Sequence, residues 1–497
     1  MSISTHKINR NSSKQSSFFK MTNKSNYLYN LYKSSQFKSI ATLFPNYINN
    51  HVKHLLNKLY LEFKEHEPII GKINIENTRV ILPIERATNK IKHILKNIFS
   101  DTQYIDNTIV AYINTNINKC TVISYENTIN EQTFIFNFII YDKINIKKLD
   151  SCVKAMLLIL QVIINISNNK KGPPNNNTNI CNINGLQLNI FMTHFVKEFE
   201  LHTNKVLGAI NINSGLTYPC SKTGEIYIYR KHEFFKVFIH ETLHSYNIDK
   251  LLRNNLDSNS YYQTLIKTFN IASTANSYKK IGLNEAITEF WTFIIHSFVY
   301  CYYNSSKFEK TVVLFERCYK YEATHSSFQV AKILYANKLS YDQFLTTITK
   351  NGTTLYNETS HILSYIFFKS LLIYNVEKVI KSNMFNFKIQ TLDLIKLDIA
   401  MNVKNSLDDF FIMLRNYSLN NNTHTIINRS YNIYKKYITL LKSHKKITIK
   451  KSYLLNNNTQ KHLLKNKSHK QNTFTHLSNS NNYLLTNLSF MVIDYSL

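Results

Sequence analysis

The sequence lacks an apolar run long enough to cross a membrane. Its longest candidate, residues 153–166, is interrupted by Lys154, Gln161 and Asn165 and falls short of the about 20 residues that a bilayer span needs. The first residues are basic and serine-rich, without the apolar centre of a secretory signal. These absences predict an intracellular protein that is not secreted and does not bind a membrane.

Closely spaced cysteine pairs are also missing. The six cysteines are scattered along the chain, and no two of them are separated by only two residues. This spacing argues against a cysteine zinc cluster and against a disulfide-rich secreted scaffold. It favours a reducing compartment.

Acidic residues are few and unevenly placed. The chain carries 60 Lys and Arg against 31 Asp and Glu, a formal net charge of +29. None of the acidic residues precedes Glu62 and none lies between Asp409 and Asp494, so both ends are basic. The accompanying abundance of Asn, Ile and Tyr is typical of AT-rich coding, which is the simpler explanation of the lysines. The alternative is a nucleic-acid partner that binds through the basic ends.

Composition and periodicity divide the 497 residues into parts. Short β-branched and aromatic runs precede the Gly-Pro-Pro break at Gly172, which predicts an internal boundary nearby. The alternative is that this stretch is one long loop. Strand-like runs followed by long helical periodicity predict an α+β domain after it. The expected parts are a basic flexible arm (1–45), an α+β N-terminal domain (46–180), a catalytic domain (181–400), a helical extension (401–450) and a basic low-complexity tail (451–497).

The most informative segment is a helical motif with two histidines. Residues 234–245 read Phe-Phe-Lys-Val-Phe-Ile-His-Glu-Thr-Leu-His-Ser, and their apolar spacing predicts an amphipathic helix. Four residues advance a helix by about 400° and about 6 Å, so His240 and His244 project from one face towards a single ion. Glu241 is not aligned with them and is placed to act on a metal-bound water as a general base. Zinc lowers the pKa of such a water towards about 7 and polarises a substrate carbonyl.

A second segment, Gly282–Trp291, carries acidic residues that suit the same site. Glu285 and Glu289 lie one turn apart at the start of an apolar helix, so both can face one point. An ordinary helix N-terminus also favours acids, but it does not explain the presence of both segments. The third ligand is therefore sought among Glu285, Glu289, Asp249 and His296.

Together the two segments resemble the paired motifs of gluzincins, the thermolysin-like zinc metallopeptidases. The resemblance covers roughly residues 185–300 and implies that His240, His244 and Glu285 bind one Zn²⁺ per chain. It also implies that Glu289 accepts a hydrogen bond from a ligand histidine, a role for which Asp249 competes. The 40 residues between His244 and Glu285 are about twice the spacing in thermolysin, so an insertion must be accommodated.

The resemblance implies further parts of a substrate cleft. A sheet edge strand upstream of the zinc helix aligns the substrate in zincins, and Glu225–Arg230 occupies that place, with Tyr227, Tyr229 and Arg230 as substrate-binding residues. Gluzincins often supply a Tyr, His or Arg to stabilise the oxyanion, and His361 and Tyr365 lie one turn apart on an apolar helix. An ordinary strand and ordinary core residues are the alternatives.

The expected fold is therefore α+β, a zincin-like catalytic domain with a mixed sheet upstream of the His-Glu-x-x-His helix and a mainly helical C-terminal part. The expected function is that of a metalloendopeptidase that hydrolyses a protein or peptide substrate through a zinc-activated water, with Glu241 as the general base. The chain also resembles uncharacterised metallopeptidase-like proteins of large DNA viruses, which implies the host cytoplasm or the virion.

Two alternatives to general peptide hydrolysis stay open. One is cleavage of a single host or viral protein, as in toxin-type gluzincins. The other is a basic virion or nucleic-acid-associated protein with an inactive zincin scaffold, although the presence of Glu241 argues against inactivity.

Overall fold

The computed structural model describes residues 17–45, 48–98, 104–168, 185–201, 205–221, 224–248, 269, 282–345, 356–381, 411–456, 483–495 and 497. These residues form an α+β fold with a mixed sheet and a mainly helical C-terminal part. The predicted α+β class is confirmed.

A six-stranded sheet lies upstream of the motif helix. Its strands are β1 (Arg79–Ile81), β2 (Thr121–Ile129), β3 (Gln132–Ile140), β4 (Gly185–Met192), β5 (Gly215–Thr217) and β6 (Glu225–Ile228). The order is β1-β2-β3-β4-β6-β5, with β4 parallel to both β3 and β6 and antiparallel pairing elsewhere. Asn130 and Glu131 join β2 to β3 with φ of 50° and 65°, the double positive φ of a tight hairpin turn. One face of β3 and β4 lies in the main core cluster. The other face carries the buried Asn137 and Asn189 as well as Ile139 and Phe191, which belong to a second cluster.

Helices make up most of the rest of the described chain. They are α1 (Asn23–Tyr32), α2 (Ser35–Ala41), α3 (Asn50–Gly71), α4 (Ile84–Ile98), α5 (Asn107–Thr115), α6 (Ile146–Asn168), α7 (Ala209–Ile212), α8 (Phe234–Ser245), α9 (Leu283–Tyr303), α10 (Phe308–Ala336), α11 (Tyr341–Leu345), α12 (Lys369–Tyr374), α13 (Val376–Lys381) and α14 (Asn421–Asn456). A π-helix, Ser364–Phe368, leads directly into α12. No helix in these ranges has the length and apolar character needed to cross a membrane.

Residues 17–45 and 483–495 were expected to belong to a flexible arm and a low-complexity tail. In the structure they pack against the core. Phe18 and Phe37 are fully buried, and the backbone N–H of Thr22 donates to the carbonyl of Asp494 at 2.9 Å. This pairing joins opposite ends of the chain, so no local pattern in either end indicates it. The other parts of the expected arm and tail lie outside the described residues.

The sheet also crosses the expected boundary at residue 180. Strand β3, from the expected N-terminal domain, pairs along eight residue positions with β4 from the expected catalytic domain. The two parts therefore share one sheet and one main core cluster.

The cysteines only partly match the expectation of a reducing compartment. Cys120, Cys152, Cys301 and Cys318 are free and buried. Cys220 is disulfide-bonded, which such a compartment does not favour.

Candidate metal centre

The motif helix α8 is held rigidly because every one of its 12 residues is buried. The helix ends at Ser245. Asn247 adopts a left-handed conformation with φ 54°, and its N–H donates to the carbonyl of His244 at 2.8 Å. The N–H of Ile248 reaches back to the carbonyl of Leu243 at 3.1 Å. These two bonds form a Schellman motif, for which asparagine is a suitable residue after the helix.

The three expected ligand side chains converge. The Nε2 atoms of His240 and His244 lie 3.0 Å apart, and they are 3.2 Å and 3.1 Å from Oε2 of Glu285. Ligands at about 2.0–2.1 Å from a tetrahedral zinc stand about 3.3 Å from one another, so the observed separations are within about 0.3 Å of that geometry. These residues form a group able to hold a metal ion. Two imidazole nitrogens and one carboxylate oxygen are a donor set that suits zinc.

Glu289 lies next to Nδ1 of His240, and Lys236 contacts Glu289. Oε1 of Glu289 lies 2.9 Å from Nδ1 of His240, and the Lys236 ammonium donates to the same oxygen. Burial raises the pKa of Glu289, but Lys236 and His240 outweigh it and hold the pKa well below its usual range. The ionised carboxylate favours a proton on Nδ1, which leaves the Nε2 lone pair directed at the centre. The two atoms are close enough for the hydrogen bond that was expected of Glu289, and that role stays a prediction.

The centre is electrostatically prepared for a cation. Burial raises the pKa of Glu285, yet His244 and His240 lower it well below the usual value. Burial lowers the pKa of His240, but Glu289 and Glu285 raise it overall. The two carboxylates thus stabilise positive charge at the point where the three donor atoms meet.

Glu241 lies beside the cluster and faces β5. Its side chain is buried, and burial raises the pKa of its carboxyl despite the neighbouring histidines. A β-carbon added at Gly215 would stand 2.9 Å from Oε1 of Glu241 and 2.8 Å from Cγ1 of Val237. Glycine is therefore needed at this position of β5 to leave room for the carboxylate.

His361 and Tyr365 also lie near the ligand group. The ring centroids of Tyr365 and His240 are 5.9 Å apart. The Gly282 N–H, just before α9, donates to Nδ1 of His361 at 3.1 Å. Burial, and then Glu285, raises the pKa of Tyr365 well above its usual value, so its hydroxyl keeps its proton. Tyr365 belongs to the π-helix, a rare element found frequently at functional sites.

The prediction that Glu225–Arg230 forms the sheet edge that binds the substrate is wrong. Strand β6 lies between β4 and β5, so it is not an edge, and within the described residues β5 pairs on one side only. Tyr227 and Tyr229 are each 1% exposed and Arg230 is fully buried. The missed strand β5 has only three residues, too few for a recognisable alternation.

Arg230 has a structural role instead. Its guanidinium donates to the backbone carbonyls of Asn213, Val196 and Ile210 at 2.8, 2.7 and 2.5 Å. The Tyr229 hydroxyl donates to a loop carbonyl as well. These groups hold the loops around β5 and are not available to a substrate.

The remaining ligand candidates are His296 and Asp249. His296 lies against the rings of Phe235 and Tyr495, at centroid distances of 6.1 and 5.1 Å, as a packing role predicts. Asp249 lies outside the described residues.

Sequence reasoning missed Lys236 and Gly215. A lysine one helical turn before His240 in an otherwise apolar helix was a signal, because it occupies the histidine face. Gly215 carries no local signal, since its role depends on a helix that follows it by many residues.

Comparisons with protein-family models, with curated proteins and with solved structures find no match for this chain. The function is therefore inferred from the geometry of the site and from the motifs.

Proposed function

We propose that this protein is a zinc metallopeptidase of the gluzincin type. The observation that carries the proposal is the convergence of His240, His244 and Glu285 on one point, with Glu241 beside it. Zinc held there would supply a Lewis acid that polarises a substrate carbonyl and acidifies a water molecule.

In this proposal Glu241 moves the proton. Its carboxylate takes a proton from the water that attacks the peptide carbonyl and delivers it to the amide nitrogen as the C–N bond breaks. Burial raises the pKa of Glu241, and a carboxyl pKa closer to neutral improves both transfers.

Tyr365 and His361 are the groups proposed to stabilise the oxyanion. Tyr365 stays protonated, so its hydroxyl donates a hydrogen bond. Nδ1 of His361 accepts the Gly282 N–H, which places the proton of the neutral ring on Nε2. A proton on the Tyr365 hydroxyl and one on Nε2 of His361 would then stabilise the negative charge that develops on the carbonyl oxygen.

The substrate is proposed to be a peptide in extended form that pairs with β5. A β-carbon added at Gly215 of this strand would stand 2.9 Å from Oε1 of Glu241. A peptide on the side of β5 that is unpaired within the described residues would therefore pass near the general base. Backbone pairing to a sheet edge binds extended peptides with little dependence on their sequence.

The experiment that tests the proposal compares wild type with Glu241→Gln and Glu309→Gln. Glu309 is exposed and provides a matched control for the same substitution. We expect about one zinc per chain in all three and cleavage of a peptide library by wild type and Glu309→Gln only. Wild-type turnover by Glu241→Gln refutes the assigned base, and zinc without cleavage in wild type supports an inactive scaffold.

Ligand assignment is tested separately. Glu285→Ala removes a donor atom, so we expect metal to be lost. Glu289→Gln is expected to keep metal with an affinity weaker by about 10–100-fold. Glutamine is preferred to alanine at position 289 because alanine would leave the buried Lys236 without its partner. Reversed outcomes, measured by competition with a chelator, show that the third ligand is misassigned.

A further inference from the structure

The C-terminal segment, residues 483–495, lies against the elements that carry the metal ligands. The N–H groups of Phe490 and Met491 donate to Oε1 of Glu233 at 2.9 and 3.0 Å. Glu233 is the residue that precedes α8. The two N–H groups that follow in the segment donate to Glu322 at 2.9 and 3.0 Å. The segment is thus fixed by buried carboxylates, one of them at the start of the motif helix.

The Phe490 ring is surrounded by buried lysines. The Nζ atoms of Lys197, Lys236 and Lys369 lie 3.6, 4.0 and 5.5 Å from its centroid, and Lys369 also donates to the Phe490 carbonyl at 2.9 Å. The ring of Tyr365 packs against Phe490 at 5.2 Å. An aromatic face stabilises desolvated ammonium groups by cation–π attraction, so Phe490 favours these lysine positions.

One of these lysines connects the segment to a metal ligand. Lys236 lies between the Phe490 ring and the carboxylate of Glu289, and Glu289 lies 2.9 Å from Nδ1 of His240. Lys236, Glu289 and His240 are at most 4% exposed, and Phe490 is 6% exposed. Movement of the ring would change the position of the ammonium, and with it the carboxylate that orients the histidine.

We infer that Lys236 and Phe490 are positioning residues of the metal centre, through which the docked C-terminal segment sets the orientation of His240. The inference rests on the proposed metal site and adds that residues near the end of the chain support it.

Lys332 provides a matched control. It is also a buried lysine, and it donates to the carbonyl of Asn487 in the same segment. Its aromatic neighbour is Phe328, whereas Lys236 contacts Glu289. Lys332→Met therefore removes one contact to the segment but leaves the Phe490 ring, and the lysine contact to the carboxylate beside His240, in place.

The experiment measures zinc affinity by chelator competition, and the visible spectrum of the cobalt-loaded protein, for full-length variants. We expect Lys236→Met to weaken zinc binding by about 10–100-fold and to alter the cobalt spectrum. Phe490→Leu is expected to weaken binding in the same direction, while Phe490→Tyr keeps the aromatic face and the wild-type affinity. Lys332→Met lowers the melting temperature but keeps the wild-type affinity and spectrum.

The outcomes separate this inference from the proposed function. Wild-type affinity and spectrum in both Lys236→Met and Phe490→Leu overturn the inference and leave the metal site intact. An equal loss of zinc in Lys332→Met also overturns it, because the effect is then general destabilisation. Absence of zinc from the wild type refutes the function and the inference together. If Lys236→Met does not fold, the Phe490→Leu result decides.

Discussion

Replacing Gly215 with alanine inserts one methyl group between β5 and the proposed general base. The new carbon would stand 2.8 Å from Cγ1 of Val237, 2.9 Å from Oε1 of Glu241 and 3.0 Å from Cγ of Glu241. Optimal carbon contacts are about 3.5–4.0 Å, so these neighbours must move by about 0.5–1 Å. The backbone at Gly215 is not left-handed, so the effect comes from space and not from φ.

The displacement acts on the base and not on the ligands. A misplacement of about 1 Å at a reacting group costs on the order of 10²-fold in rate, which is about 2.7 kcal/mol in the barrier. Overpacking of this kind lowers the free energy of unfolding by about 1–3 kcal/mol. Because the three atoms nearest to the added carbon belong to Val237 and Glu241 and not to a ligand residue, zinc content is expected to stay at the wild-type level.

The assay measures kcat on a fluorogenic peptide chosen from the cleaved library, together with zinc content. Gly71→Ala is the control, because its added carbon meets no atom within 4 Å, and we expect wild-type kcat from it. The double variant with Val237→Ala removes one of the two clashing partners and should recover part of the lost kcat. A Gly215→Ala protein with full zinc and wild-type kcat would refute the placement of Glu241 as the base.

Two further predictions concern stability. Arg230→Met leaves three backbone carbonyls without their donor. The free energy of unfolding, measured in urea, should fall by about 3 kcal/mol or more, and KM should not change. A stable variant with a raised KM would show that Arg230 binds the substrate. Burial lowers the pKa of His325 to about 3, against about 6.5 in the unfolded chain. Between pH 6.5 and 3 the unfolded chain binds a proton at this ring and the folded protein does not. The free energy of unfolding is therefore highest above pH 6.5 and falls as the pH decreases towards 3. We expect about 2 kcal/mol less stability at pH 5 than at pH 7 from this group, and a smaller difference in His325→Gln; an unchanged difference would contradict the assignment to His325.

The two histidines of the candidate metal centre could be predicted from sequence because their relation is local. His240, Glu241 and His244 lie within about one helical turn, and helix geometry alone directs the two imidazoles to one side. The assignment of Glu285 as the third ligand depended on the resemblance of a second segment to the gluzincin motif, since 40 residues separate it from His244. The contact between Glu289 and His240 was expected for the same reason.

Only the tertiary structure decided which strand lies at the edge of the described sheet. The same holds for the packing of residues 483–495 beside the candidate metal centre. Strand β6 has the stronger alternation, yet the three-residue β5 occupies the edge because pairing partners are chosen by contacts across the sheet. Phe490 reaches Lys236 from more than 250 positions away, and no local periodicity reports such a contact. Those contacts exist because buried ammonium and carboxylate groups require partners once water is excluded, and only the folded chain brings the partners together.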